Sequence, residues 1–285
     1  MNVNNSTSLT KELADKHRSL CENIGSLGRV VVAFSGGIDS SLVAHVAASE
    51  LGENALIATS GSASLKRSDL SLTQHLADRW KLNHRVITTD ELSKTEYRAN
   101  PTNRCFYCKT SLYAALQEIA EKERYDYILN GTNTDDLGDH RPGLQAANDF
   151  NIRSPLVETG FCKSDIRALA EHLGLENAQK PQAACLSSRF PYGSHITQER
   201  LAQVEAAEDV LAALGFTQYR VRHHEEVARI EIVAQEMPRA IEVAALLDER
   251  VRACGYRFVS LDLGGFRSGA LNEGVIPTVQ IHEPG

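Results

Sequence analysis

The sequence predicts an α/β fold: a parallel sheet with helices on both faces, followed by a smaller C-terminal α+β domain. Three observations lead to this prediction. Short apolar, β-branched runs alternate with helix-length amphipathic stretches over the first part of the chain, which indicates parallel strands joined by crossover helices. A glycine turn follows the first strand and opens a helix. Further along, the order changes to strand, strand, helix, strand, which is typical of a separate α+β unit.

Length and composition narrow the class of protein. The chain has 285 residues, 42% apolar, with a formal net charge of −7. This length suits one large domain or, as we expect, two. No apolar run is long enough to cross a bilayer and residues 1–10 contain no apolar leader core, so we expect a cytoplasmic protein with no membrane partner. The negative charge argues against a nucleic-acid partner.

In chain order, hydrophobic periodicity predicts the elements of the first domain. They are helix 9–27, the strand and helix that flank the turn at 35–41, strand 55–60, helix 68–80, strand 84–89, helix 106–122, strand 125–130 and helix 164–173. Ligands bind beyond the carboxyl ends of the strands in such sheets. The polar stretches 35–40, 59–60, 89–90 and 131–136 all lie at those ends, so we predict a nucleotide site there.

An irregular stretch over 174–197 marks the predicted domain junction, and loops of this length are often functional. We divide the chain into a nucleotide-binding domain (1–180), a junction loop (181–196) that carries Cys185, and a substrate-binding α+β domain (197–285). The elements predicted for the last domain are helix 198–214, strands 219–224 and 228–233, helix 238–254 and strand 258–263.

The turn after the first strand reads Ser35-Gly36-Gly37-Ile38-Asp39-Ser40. Glycines without a Cβ let the backbone approach a ligand closely, and the unpaired amides at the helix start carry the positive end of its dipole, which binds phosphate oxygens. An ordinary serine-capped turn is the alternative. The order Ser-Gly-Gly-x-Asp-Ser resembles the PP-loop of ATP pyrophosphatases, which cleave ATP into AMP and pyrophosphate. The lysine of the Gly-x-x-x-x-Gly-Lys-Ser/Thr loop is missing.

A second polar loop, residues 131–136, follows the fourth predicted strand. Gly131 lets the backbone approach a ligand, and Asp135 with Asp136 can hold Mg²⁺, which prefers oxygen ligands. Alone, such a stretch is more often a turn. Beside the PP-loop it resembles the second ATP motif of the same superfamily. Arg141, just beyond, either faces phosphate or is a solvated surface residue.

Two cysteines lie one helical turn apart. Cys105 and Cys108 are flanked by Arg104 and Lys109, and basic neighbours together with a helix start favour thiolate. The pair alone fits a zinc site, a redox pair, a cluster or coincidence. Two ligands do not complete a zinc site, so any metal needs ligands from elsewhere in the chain.

Cys185 is the best candidate for a reactive cysteine. It lies in the irregular junction and not in a periodic apolar face, and Arg189 nearby in sequence favours its thiolate. Cys21 and Cys254 fit buried apolar positions, and we interpret Cys162 as structural. Six cysteines in a cytoplasmic chain do not indicate a disulfide framework.

Arginines recur in the C-terminal domain. Arg220 and Arg222 lie on one side of a predicted strand, Arg229 lies beside Glu231 on the next strand, and a glycine-rich loop presents Arg267. Alternating charge is often only the solvated face of a strand. Arginines beside a glycine loop suit phosphate or carboxylate, which they bind bidentately.

Together these motifs resemble, nearly end to end, the LarE-type sulfur transferases of nickel-pincer nucleotide cofactor synthesis. The matching segments are 33–40, 141–143, 187–193, 221–222, 228–231 and 261–269. The family adenylates a carboxylate of pyridinium-3,5-biscarboxylic acid mononucleotide and converts it to thiocarboxylate. The resemblance implies a Rossmann-like PP-loop domain, a smaller C-terminal domain, ATP with Mg²⁺, a small mononucleotide substrate and a homo-oligomer.

The resemblance also implies a role for each matching position. ATP binding is assigned to Ala33, Ser35, Gly36, Gly37, Asp39, Ser40, Ser60 and Gly131. Binding of the substrate or of the AMP phosphate is assigned to Ser188, Arg189, Arg220, Arg222 and Arg267. A divalent cation is assigned to Asp39, Asp135 and Glu231. Cys185 matches the sulfur-bearing cysteine of the family and is the predicted catalytic residue.

The family contains two forms. In one, a single cysteine surrenders its own sulfur; in the other, a Cys-x-x-Cys pair joins that cysteine to hold a [4Fe-4S] cluster. With Cys105, Cys108 and Cys185, this chain resembles the second form. The predicted function is therefore ATP-dependent sulfur transfer through Cys185 or through such a cluster. The alternatives are a PP-loop tRNA thiolase, which the negative charge disfavours, and a non-catalytic nucleotide-binding module, which leaves Cys185 unexplained.

Overall fold

The computed structural model describes residues 9–137, 142–181 and 184–267. The chain divides into two units between Cys185 and Leu186, and the α/β fold class predicted from the sequence is confirmed. The finer domain limits, with a junction loop over 181–196, stay a prediction. Arg141, Ser268 and Gly269, which belong to predicted motifs, lie outside the described residues.

The first unit is built on a four-stranded parallel sheet in the order β3-β2-β1-β4. Its strands are β1 (Val30–Ala33), β2 (Ala55–Ser60), β3 (His84–Ile87) and β4 (Tyr127–Leu129). Strand β1 pairs with β2 on one side and β4 on the other, and Val30, Val31 and Val32 are fully buried. A central strand covered on both faces requires such a continuous β-branched run.

Helices pack on both faces of this sheet. They are α1 (Lys11–Gly25), α2 (Ile38–Leu51), α3 (Arg67–Trp80), α4 (Thr95–Arg98), α5 (Arg104–Glu123), α6 (Pro142–Asp149), α7 (Pro155–Glu158) and α8 (Lys163–His172). Val30 and Val32 join the core made by α1, α2 and α8, whereas Val31 joins the core made with α5 and α6, because side chains alternate along a strand. Over the described ranges, no helix has both the length and the apolarity to span a membrane.

The second unit has a three-stranded sheet in the order β5-β6-β7. Its elements are α9 (Gln198–Ala213), β5 (Tyr219–His224), β6 (Val227–Ile232), α10 (Met237–Glu242), α11 (Ala244–Ala253) and β7 (Phe258–Leu261). The single helix predicted over 238–254 is wrong, because Val243 leaves the helical conformation (φ −99°, ψ 15°) and separates α10 from α11. Its β-branched side chain packs against the core of this unit.

Candidate active site

Two glycines bring the phosphate loop close to its neighbours. Gly36 has φ +70°, and a Cβ there would lie 2.9 Å from Thr73 Cγ2. A Cβ on Gly131 would lie 2.6 Å from the backbone nitrogen of Ser40, a distance that real side chains do not tolerate. The loop after β4 therefore backs directly onto the first turn of α2, so the two polar loops of the sequence lie side by side.

Serine hydroxyls hold the loop in shape from within. Ser40 Oγ donates to the Gly37 carbonyl at 3.0 Å and accepts from the Ser35 amide at 3.2 Å. Ser35 Oγ lies 3.1 Å from Ser40 Oγ. With their side chains occupied in this way, these serines fix the turn that presents the first amides of α2 to a ligand.

Asn177 also holds the phosphate loop, a role that the sequence analysis missed. Its Nδ2 donates to the Gly36 carbonyl at 3.0 Å and to Ser41 Oγ at 2.7 Å, and the residue is buried. Asn177 lies in the irregular segment that leads to Cys185. The signal in the sequence was weak, since an asparagine in such a segment is ordinarily a turn residue.

Asp39, in the first turn of α2, is bound by a lysine that the sequence analysis did not single out. Lys163 Nζ lies 2.6 and 2.5 Å from its two carboxylate oxygens, and Asn133 Nδ2 donates to it at 3.2 Å. The Lys163 amide donates to Asp135 Oδ2 at 2.8 Å. Both aspartates predicted to hold a divalent cation are thus engaged with Lys163, and their metal role stays a prediction.

The loop opens into a cavity of about 370 Å³ at the carboxyl ends of β1, β2 and β4. The predicted residues on its lining are Ala33, Ser35, Asp39, Ser40, Ser60, Cys108, Gly131 and Cys185. The charged residues that the described chain contributes to this lining are Asp39, Glu91, Lys109 and Asp136. The structure therefore brings the phosphate loop and the predicted reactive cysteine to the walls of one cavity.

The two cysteines of the cavity differ in environment. Cys185 is exposed. Burial raises the pKa of the Cys108 thiol to about 12, with Cys185 and Glu91 adding to the shift and Lys109 opposing it. Cys108 is consequently a neutral thiol at pH 7, and its nucleophilicity is low.

Arg104, at the start of α5, is a buried cation close to these thiols. It donates to Asn100 Oδ1 at 2.7 Å. Burial is the largest single influence and lowers the pKa of its guanidinium, but Cys185, Cys105 and Tyr97 together raise it, so the net shift is upward.

The three cysteines predicted to hold a [4Fe-4S] cluster are not arranged as a ligand set. In the described ranges, no three or more histidine, cysteine, aspartate or glutamate side chains form a group that could hold a metal ion. Cys108 and Cys185 line the cavity, whereas Cys105 is exposed in the first turn of α5. As placed, these residues do not fit the cluster, which stays a prediction.

Two of the arginines predicted to bind phosphate are paired with buried carboxylates in the second unit. Arg222 Nε and Nη2 each donate to Glu231 at 2.9 Å, and its Nη1 donates to the Ser188 carbonyl at 2.7 Å. Arg189 donates to Glu208 at 2.8 and 3.2 Å. Glu208 escaped the sequence analysis because a carboxylate in the middle of α9 reads as a solvated helix position.

Glu231 also accepts from Arg229 Nη2 at 3.1 Å. Both carboxylate oxygens of Glu231 therefore accept from guanidinium groups, and its side chain is 1% exposed. Its metal role stays a prediction.

Arg220 and Arg267 meet at the glycine loop that follows β7. The Arg220 guanidinium lies 4.6 Å from the centroid of the Phe266 ring and donates to the Arg267 carbonyl at 3.2 Å. Burial, followed by the charges of Arg222 and Arg189, lowers its pKa. An anion would relieve this repulsion between like charges, so the predicted role of Arg220 in substrate binding is chemically consistent.

Comparisons with known proteins show which proteins this chain is similar to. Residues 22–152 match the family model described as asparagine synthase. Over 262 residues the chain is 42% identical to an uncharacterized protein of Synechocystis sp., covering 91% of this chain and 98% of that one. It is 38% identical to the pyridinium-3,5-bisthiocarboxylic acid mononucleotide synthase of Lactiplantibacillus plantarum, covering 92% and 95%. A tRNA sulfurtransferase of Desulfurococcus amylolyticus is 26% identical over 200 residues, covering 66% and 41%.

A glycine–serine phosphate loop at the carboxyl edge of a parallel sheet, together with the matched family model, defines a PP-loop enzyme of the ATP pyrophosphatase type. The identity of 38% over nearly the whole of both chains narrows this class. The chain belongs to the LarE family of PP-loop enzymes, as the motifs of the sequence predicted.

Proposed function

We propose that this protein is an ATP-dependent sulfur transferase that adenylates a carboxylate of pyridinium-3,5-biscarboxylic acid mononucleotide and converts it to thiocarboxylate. The observation that supports this most is that the phosphate loop and Cys185 line the same cavity of one unit. A nucleotide bound on the loop and a cysteine sulfur then share one enclosed space. The Lactiplantibacillus plantarum relative is named as the synthase of the corresponding bisthiocarboxylic acid.

Adenylation is the first step. A substrate carboxylate oxygen attacks the α-phosphorus of ATP, and the bond from that phosphorus to the pyrophosphate oxygen breaks. The amides at the start of α2 face the charge that develops on pyrophosphate. Asp39 and Asp135 are the residues that would hold Mg²⁺, which supplies further charge neutralisation when bound.

Sulfur transfer follows on the acyl-adenylate. The Cys185 thiolate attacks the acyl carbon, the bond to AMP breaks, and a thioester forms. Loss of the Cα proton and cleavage of the Cβ–S bond leave thiocarboxylate on the product and dehydroalanine at position 185. Cys108, whose pKa is raised by burial, stays protonated and does not compete for the acyl group.

The experiment is a single-turnover incubation of the full chain with ATP, Mg²⁺ and the biscarboxylate mononucleotide. We expect pyrophosphate release that depends on the mononucleotide, and a product whose mass shows one oxygen replaced by sulfur. An absence of substrate-dependent pyrophosphate contradicts the proposal, and thiolation of added tRNA supports the tRNA thiolase instead. A chain that binds ATP but forms neither product is a nucleotide-binding module.

Analysis of the protein before and after this reaction distinguishes the two possible sources of the sulfur. Dehydroalanine at position 185 after turnover supports the sacrificial route. Iron and sulfide in anaerobically purified protein, with an intact Cys185 after turnover, support the cluster predicted from the sequence. Replacing Cys105 and Cys108 by serine leaves the sacrificial route intact and removes two predicted cluster ligands, so this double variant separates the two routes.

The partners follow from the same resemblance. We expect a small mononucleotide as substrate, no nucleic-acid partner and a homo-oligomer. Light scattering on the purified chain measures the oligomeric state.

A further inference from the structure

Glu91 is a buried carboxylate of the cavity wall with one oxygen that no protein donor reaches. It follows β3, belongs to the lining of the cavity and is only 2% exposed. Its Oε1 accepts from the Ser62 hydroxyl, whereas Oε2 is buried and has no hydrogen-bond partner among the described residues. A buried carboxylate oxygen without a donor or a cation is costly. Such an oxygen therefore indicates a partner that a ligand supplies.

A network of hydroxyl groups holds this carboxylate in position. Ser62 Oγ, which donates to Glu91, accepts from the Ser64 amide at 3.0 Å and lies 2.9 Å from Ser64 Oγ. The Ser62 amide donates to Ser60 Oγ at 3.3 Å, and Ser60 Oγ lies 2.8 Å from Thr89 Oγ1. These hydroxyl groups join the segments after β2 and β3 along the cavity wall. Because Oε1 is fixed by this network, Oε2 points in a constant direction.

The other acidic groups of the described lining are engaged by protein donors. The Lys163 ammonium binds both carboxylate oxygens of Asp39. The Asn133 amide donates to Asp136 Oδ2 at 3.1 Å. Glu91 differs from both, since within the described part of the chain its Oε2 has no such donor.

Glu91 lies beside the cysteines that the proposed sulfur transfer uses. Its negative charge adds to the raised pKa of the Cys108 thiol, after burial and the charge of Cys185, and all three residues line the cavity. In the proposed reaction the acyl carbon must reach Cys185 or a cluster beside it. The ribose and the phosphate separate that carbon from the adenine of the acyl-adenylate. Glu91 is therefore placed to face the acyl part of the intermediate and not the adenine.

The acyl part carries a fixed positive charge. In pyridinium-3,5-biscarboxylic acid mononucleotide the ring nitrogen is bonded to the ribose and is cationic, and each carboxyl carbon is attached directly to the ring. When one carboxyl carbon reaches the cysteines, the cationic ring lies next to them. A carboxylate complements such a ring, because opposite charges attract more strongly in a site that is shielded from water.

We propose that Glu91 recognises the cationic pyridinium ring of the substrate through Oε2, while Ser62 holds Oε1 in place. Glu91 then selects a positively charged ring over a neutral ring of the same shape. It is a specificity-determining residue that contacts the substrate, and it transfers no proton and forms no covalent bond in the reaction. This inference rests on the proposed function and adds a substrate contact to it.

The competing interpretation is a purely structural carboxylate that only ties the segment after β3 to Ser62. A structural role shapes the whole cavity, so its loss weakens the binding of every ligand. Recognition of the ring depends on the charge of one ligand. The two interpretations therefore differ in which ligands respond to a substitution of Glu91.

The test compares two nucleotides that differ in the charge of the ring. One is the pyridinium biscarboxylate mononucleotide, and the other is its C-nucleotide analogue, in which a carbon replaces the ring nitrogen and the ring is planar and neutral. Isothermal titration calorimetry measures the binding of both to the full chain with Mg²⁺ and α,β-methylene-ATP, which cannot be cleaved to AMP.

Glu91→Gln keeps the shape of the side chain and removes its charge. We expect the cationic nucleotide to bind about 10- to 100-fold more weakly, between the strength of a unit-charge pair in water and in a partly dry site. Binding of the neutral analogue and of Mg²⁺–ATP stays close to that of the wild type.

Two further variants serve as matched comparisons. Ser62→Ala removes the donor to Oε1 but keeps the charge of Glu91, so the preference for the cationic ring falls by less than in Glu91→Gln. Glu123→Gln removes an equal charge from the ion pair with Arg85 on β3. Glu123 is not among the described residues of the cavity lining, and we expect all affinities to be unchanged in this variant.

Equal losses for the cationic and the neutral nucleotide in Glu91→Gln overturn the inference, and so does an unchanged affinity for the cationic nucleotide. A loss confined to ATP also overturns it, because Glu91 would then face the ATP part of the site. If Glu91→Gln does not fold, the wild type carries the test: a chain that binds both nucleotides equally overturns the inference. A wild type that binds ATP but neither nucleotide, and releases no substrate-dependent pyrophosphate, contradicts the proposed function itself.

Discussion

In the first unit, the Lys163–Asp39 pair lies at the phosphate loop with side chains 28% and 24% exposed. In the second unit, the Arg222–Glu231 pair is sealed, with side chains 3% and 1% exposed. Water screens the first pair and can replace either partner, so it can be broken and remade during a reaction. The second pair has lost its water, and its further hydrogen bonds also go to protein groups, from Arg222 to the Ser188 carbonyl and from Arg229 to Glu231. The difference indicates that the first unit carries exchangeable charge for chemistry, whereas the second carries fixed charge that shapes a binding surface.

This comparison predicts that the largest effect on the reaction comes from the first unit. Cys185→Ala removes the sulfur that both proposed routes require, so we expect thiocarboxylate formation to fall below detection. Substrate-dependent pyrophosphate release persists, because adenylation depends on the phosphate loop. Mass spectrometry of the product and a pyrophosphate assay measure the two steps separately. An alanine variant that still forms thiocarboxylate at the wild-type rate removes Cys185 from the mechanism.

The largest effect on stability is expected in the second unit. Glu231→Ala leaves the Arg222 guanidinium buried without its carboxylate, and we expect a loss of about 3–5 kcal/mol in the free energy of unfolding. Hydrogen exchange of the β5 and β6 amides reports this unit. Its matched control is the double change Arg222→Met with Glu231→Leu, which buries no charge and should cost less.

Stability that rises or stays level in Glu231→Ala would mean that the buried pair does not shape the second unit. Equal losses in the single and double variants would point to packing volume and not to charge.

A smaller effect follows from the buried thiol of the cavity. The pKa of Cys108 is raised to about 12 from its ordinary value of 9.0, so the folded state favours the protonated form. The resulting stability is fully present below pH 9 and is lost as pH rises towards 12. Between pH 9 and 10 we expect the first unit to lose up to about 1.4 kcal/mol in the wild type, but not in Cys108→Ala.

Trp80, the single tryptophan, lies on α3 of the first unit, and its fluorescence during urea unfolding follows this loss. Cys21, whose pKa burial raises to about 11, contributes equally to both proteins. Parallel pH profiles for the wild type and Cys108→Ala would contradict the buried, neutral thiol.

The sequence predicted the first unit well where the signal was local. The limits of β2 and β5 are as predicted, since β-branched or alternating residues mark both strands. The phosphate loop lies between the carboxyl end of β1 and the start of α2, where its two glycines indicated a turn. The site contacts that the sequence did not predict join residues that are far apart in the chain. Lys163 and Asp39 are 124 positions apart, and Asn177 and Gly36 are 141 apart. No periodicity connects such residues.

The second unit hides its organisation for another reason. A buried arginine paired with a buried glutamate has the composition of a solvated face, so the sequence did not reveal that Arg189 and Arg222 are paired with carboxylates, and it overlooked Glu208. The phosphate-binding role of the two arginines stays a prediction. The break at Val243 was also missed, because the apolar spacing of α10 and α11 continues across it. Burial of charge is a tertiary property that spacing alone does not record.

The smallest predicted change in the free energy of unfolding gives the most direct comparison between the ion pairs of the two units. Lys163→Ala leaves Asp39 at a partly exposed position where water and Asn133 still solvate it, so we expect the free energy of unfolding to change by only about 0.2–1 kcal/mol. The same variant is expected to lose more in ATP binding, because Lys163 reaches the first turn of α2, where a bound phosphate would lie. Urea unfolding is followed by Trp80 fluorescence, without and with saturating Mg²⁺–ATP. The first measurement gives the free energy of unfolding of the nucleotide-free chain, and the second gives the stabilisation that ATP binding adds. Wild type and variant should nearly coincide without nucleotide and separate when ATP is added. If Lys163→Ala instead destabilises the nucleotide-free chain as strongly as Glu231→Ala does, the exposed pair is structural after all, and the distinction between exchangeable and fixed charge fails.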